Sequence, residues 1–126
     1  MRRNNIILLF FSLFSLSIYS QKTNEYKFLV KGEYDSKIYE KLESNAGDKV
    51  YLWHKIEETK ENDPGIEFIE FYVQINCSAK TSILKSSITH WRDGAIQKFD
   101  DPSNKEIPIT DPKSIPGISY KNHCKK

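Results

Sequence analysis

From Ile69 onward in IEFIEFYVQINC, residues 66–77, apolar and polar side chains alternate without a break. A period of two places Ile69, Phe71, Val73, Ile75 and Cys77 on one face of a strand, with Glu70, Tyr72, Gln74 and Asn76 on the other. VYLWHKI, residues 50–56, repeats the pattern: Val50, Leu52, His54 and Ile56 point one way, Tyr51, Trp53 and Lys55 the other. Two strands that are each apolar on one side require a sheet with a core against that side. Cys77 points into this core.

The remaining segments extend the sheet. YKFLVK at 26–31 has strand composition, and Asn45 to Asp48 (NAGD) signals a turn. DSKIYEKLE at 35–43 fits either a short helix, with Ile38 and Leu42 at i and i+4, or a strand, and is read here as a strand. ETKENDPG is a polar loop, and Ser78 to Trp91 favours extended structure. Asp93-Gly94 signals a two-residue type I′ hairpin that would pair Arg92 with Ala95 and Trp91 with Ile96 and return a strand to about Phe99. Prolines at 102, 108, 112 and 116 then break regular pairing. KSIPGISYKNHC can close the chain with a short helix capped by Ser114, with Pro116 in its first turn. The expected fold class is α+β: mainly an antiparallel β-sheet of about five to six strands with a short C-terminal helix, stapled by one disulfide.

The first twenty residues have a different purpose. Arg2 and Arg3 precede an apolar run from Ile6 to Leu16, the pattern of a secretory signal with cleavage expected before Gln21. The run is shorter than the roughly 20 residues that cross a bilayer, so no stable membrane span is expected after its removal. No cysteine ends it, which argues against a lipoprotein. The domain boundaries read as 1–20 for the signal and 21–126 for a single small β-rich domain, exported to the periplasm or the extracellular medium. Of 19 Lys and Arg residues, two leave with the signal and no acid does, so 17 bases face 17 acids. Near-neutrality gives no footing for nucleic acid binding.

Export also decides between the uses of two cysteines. A nucleophile or metal thiolate is the functional alternative, but an oxidising compartment favours a Cys77–Cys124 disulfide. Such a bond closes a loop of 48 residues counted inclusively, stabilising the fold by about 4 kcal/mol in the chain-entropy description. His54, His90 and His123 lack the short spacings of a zinc site, and no metal or cofactor is expected. His54 reads as a core-edge imidazole with a hydrogen-bond partner. No GxSxG, HExxH or phosphate-loop motif occurs, and Glu57, Glu58, Glu61 and Asp63 read as a solvated loop. Asn76-Cys77-Ser78 matches a glycosylation sequon, but its place in a strand argues for coincidence.

Tyr51, Trp53 and Tyr72 lie opposite the core and form a candidate binding surface, since aromatic side chains supply large contact area at little entropic cost. The preferred reading is that another element, such as the C-terminal segment, covers them.

Taken in order, VYLWHKIEE, a polar loop, a long strand ending NCSAKTSIL, HWRDG, KSIPG and a final Cys resemble the surface-adhesin protein E-like family of small exported bacterial domains. The resemblance spans about residues 35–124 and implies an antiparallel sheet with a C-terminal helix. The family's founding member adheres to host matrix and serum proteins. Ile115-Pro116-Gly117 stands where the family tends to have Pro-Gly-Ser. The function expected is an exported, non-enzymatic binding or adhesin-like domain with a protein partner. The alternatives are a small periplasmic inhibitor or accessory factor of an envelope enzyme, and a hydrolase or redox protein, which would need a free reactive thiol or an assembled metal site. Neither the partner's identity nor the oligomeric state is written in the sequence.

Overall fold

The computed structural model describes residues 25–124; the signal and cleavage site expected from the sequence lie outside the described residues. Six strands run as an antiparallel meander, each beside its neighbour in sequence: β1 (Lys27–Lys31), β2 (Lys37–Ala46), β3 (Lys49–Glu57), β4 (Ile66–Asn76), β5 (Thr81–Trp91) and β6 (Ile96–Asp100). The two-residue β7 (Ile107–Pro108) pairs with the start of β5, whose other end holds β6. One helix, α1 (Ile115–His123), follows. The sheet thus has one short strand more than the sequence implied.

Register follows from the alternation. Val50 pairs with Ile75, Leu52 with Val73 and His54 with Phe71, so the apolar sets of β3 and β4 share a face. Residues 37–46 are a strand, which places Ile38, Glu40 and Leu42 beside Ile56, His54 and Leu52 on that same face. Bulges at Glu43 and Lys85 leave these charged residues outside the ladder.

Helix α1 lies over one end of this face. Val50, Leu52 and Ile75 are fully buried there, with Ile109 and Cys124 nearly so. Ser114 caps the helix as the sequence implied, its Oγ accepting the Gly117 N–H at 3.1 Å. Gly117 is required by close approach: a Cβ there would stand 2.2 Å from the Asp111 carbonyl oxygen. The Cys77–Cys124 disulfide is formed, with Cα atoms 5.3 Å apart.

The hairpin at Asp93-Gly94 departs from the expected register. His90, not Trp91, pairs with Ile96. A type I′ turn needs positive φ at both central residues, and Gly94 (φ +95°) has it but Asp93 does not. The turn instead closes with Gly94 N–H donating to the Trp91 carbonyl and Trp91 N–H to that of Ala95, while the Asp93 carboxylate accepts the Ala95 N–H.

Candidate functional site

The sheet face away from α1 carries the aromatic residues singled out by alternation. Trp53 and Tyr72, paired across β3 and β4, have ring centroids 4.9 Å apart, and Tyr51 lies 6.3 Å from Tyr72 in a stacked arrangement. The three do form one surface. Among the described residues no strand or helix is packed over it; the C-terminal segment, named as the expected cover, packs against the opposite face instead. The reason is Cys77, whose side chain faces the apolar side and draws the chain end there through the disulfide.

The aromatic layer is wider than three residues. The Lys55 ammonium lies 4.9 Å from the ring centroids of both Tyr26 and Tyr39 and 5.3 Å from that of Phe68. Lys41 sits 4.9 Å from Tyr26 and 5.9 Å from Trp53. Rings and ammonium groups therefore interleave across β2, β3 and β4, each contact favourable through the ring quadrupole. Tyr26, just before β1, reaches onto this layer and donates its hydroxyl to Glu70 at 2.8 Å; burial first, then Glu70, pushes its pKa well up. Glu70 also holds His90 at 2.8 Å, and His90 stacks on Phe68 at 4.0 Å. The strand reading of 35–43 leaves Tyr39 and Lys41 unassigned because it does not extend to the alternation of faces, which sends both to this side beside Lys55 and Trp53.

A second polar group lies beneath α1. His54 is almost fully buried, with the Ser119 hydroxyl 2.8 Å from its Nε2. Ser119 has no exposed surface and donates its one proton to Glu40, whose other oxygen accepts from His123 Nε2 at 2.7 Å. With that proton committed to a carboxylate, Ser119 Oγ can only accept from His54, so His54 carries hydrogen on Nε2. This is the reverse of the bond by which a histidine base activates a serine. Burial is the main cause that lowers the His54 pKa, to about 4, with His123 adding to it and Glu40 opposing. The neutral ring is thus a hydrogen-bond strut. The sequence foresaw a partner for His54 but not which, because Glu40 and Ser119 come from segments brought together only by folding.

The polar loops are likewise tied down. Arg92 donates to the carbonyls of Glu58 and Asp63, and Asp63 accepts from the N–H groups of Gly65 and Ile66. Asn76 Oδ1 accepts from Ser78 Oγ and Ala79 N–H, a local turn use of the sequon's asparagine. Among the described residues no group of three metal-ligating side chains is arranged to hold an ion, and no helix is long and apolar enough to cross a membrane.

No family model matches the chain, and neither the curated proteins nor the solved structures yield a match.

Proposed function

We propose that this chain is an exported, non-enzymatic binding domain that docks a protein partner through the aromatic face centred on Tyr51, Trp53 and Tyr72. The observation that carries the reading is the layer itself: aromatic rings and two lysines on one face of the sheet, half-buried, with no strand or helix among the described residues packed over them. Protein interfaces are enriched in Tyr and Trp for the same reasons of area and low entropy. The disulfide supports export, since such bonds persist in oxidising compartments. The resemblance to the surface-adhesin protein E-like family supports adhesion as the biological setting.

The test compares capture by immobilised protein and by a Trp53→Ala/Tyr72→Ala variant, from envelope extract and from purified matrix proteins. A partner retained by the wild type and lost by the variant, with the disulfide and thermal midpoint of a folded domain still present in the variant, is the expected result. Equal retention by both proteins would remove the aromatic face from the reading.

A further inference from the structure

On the other side of the sheet, a groove of about 540 Å³ opens beside the disulfide, between α1, the segment leading into it and the β4–β5 turn. Ile109, Pro112, Tyr120 and Cys124 make much of its lining apolar, and Ile109 and Cys124 belong to the core itself. Lys80 and Lys121, both exposed, complete the wall. Lys80 has the left-handed backbone (φ +56°) that side-chain-bearing residues seldom adopt. Its carbonyl accepts the Ile109 N–H at 3.0 Å, and its ammonium stands 5.4 Å from the Tyr120 ring centroid. Among the described residues neither lysine is in a salt bridge.

We propose that this groove binds an amphipathic carboxylate: a compound with one anionic group on an apolar chain or ring. Its volume and mostly apolar lining with a few polar groups match those of small-molecule sites. The apolar body lies against Ile109, Pro112 and Tyr120, and the carboxylate meets Lys80 and Lys121 in charge-assisted hydrogen bonds. Two unpaired cations beside an apolar floor select an anion over a neutral or cationic compound of the same shape. The site is separate from the aromatic face and does not depend on the function proposed for it.

The probe is octanoate, titrated into the oxidised, isotope-labelled full chain and followed by amide chemical shifts, with octanol and octylammonium as controls. Octanoate is expected to shift Ile109, Thr110, Tyr120 and Lys121, octanol to bind about tenfold more weakly, and octylammonium to leave the same amides unmoved. Because the lysines are exposed, Lys80→Gln and Lys121→Gln should each weaken octanoate binding only about threefold, without a change in thermal midpoint. Equal affinity for octanol and octanoate, shifts confined to another surface, no shift at millimolar octanoate, or lysine variants of unchanged affinity would each overturn the assignment.

Discussion

The Ser119 hydroxyl lies 2.8 Å from His54 Nε2, joining the final helix to the third strand across 65 positions of sequence. Both side chains are buried, and among the described residues no fully buried side-chain nitrogen or oxygen lacks a hydrogen-bond partner. Removing one member strands the others, and an unsatisfied buried group costs about 1–3 kcal/mol. Ser119→Ala is therefore expected to lower stability by about that amount, read from the midpoint of urea denaturation. An unchanged midpoint would mean that the helix is held by the disulfide and apolar contacts alone.

The same histidine gives the fold an acid limit. Its pKa is about 4 in the folded protein against 6.5 for a free side chain, because burial penalises the charged ring. Above pH 6.5 the ring is neutral in both states and its full contribution to stability is present. As pH falls from 6.5 towards 4, the unfolded chain takes up a proton that the folded one refuses, and stability declines; below about 4 both are protonated and the loss levels off. The total from this residue is about 3 kcal/mol. Denaturation midpoints across this window should fall for the wild type and fall less for His54→Gln.

Gly117 sets two rules in opposition. Alanine is the better helix former by about 1 kcal/mol, yet its Cβ would press on the backbone of Asp111 and Pro112, which cannot swing aside as a long side chain can. The clash is expected to win, with Gly117→Ala destabilising by about 1–3 kcal/mol and lowering the thermal midpoint. A raised midpoint would show that the approach to α1 shifts at little cost.

Gly94 presents backbone strain without crowding. No atom lies within 4 Å of where its Cβ would be, and its φ is +95°. Gly94→Val should therefore cost about 1–2 kcal/mol from conformation alone, measured as a change in denaturation midpoint. The cost is the same for the turn observed as for the one implied by the sequence; the pairing of His90 with Ile96 and the backbone of Asp93 distinguish them.

What the sequence made legible was local. Alternation in β3 and β4 told which side chains share a face, because a strand's period does not depend on what packs against it. Ser114 and Pro116 marked the helix start for an equally local reason. Which face α1 would cover was less direct: the core-facing Cys77 held that information, yet the three aromatics were assigned a cover as well. The Glu40–Ser119–His54–His123 group was illegible, since its members are common polar residues whose spacing has no motif. Only the folded register of β2 against β3 and the reach of α1 bring them together.

The disulfide connects stability with both proposed sites. Replacing Cys77 and Cys124 by serine frees the loop they close and places two hydroxyls at the core of Val50, Leu52 and Ile75. Loss of a native disulfide from a small exported domain typically costs 2–5 kcal/mol, and that range is expected for the double variant. Cys124 lines the carboxylate groove, whereas the aromatic rings lie across the sheet from it. Under conditions where the variant remains folded, octanoate binding should weaken while partner capture by the aromatic face persists. A cysteine nucleophile or metal ligand would give the opposite pattern, with folding nearly intact and activity gone. Thiol titration of freshly prepared protein in denaturant without reductant comes first: two free thiols would remove the covalent anchor of α1, and the helix would then be held by the Ser119, Glu40, His54 and His123 hydrogen bonds and by its apolar contacts.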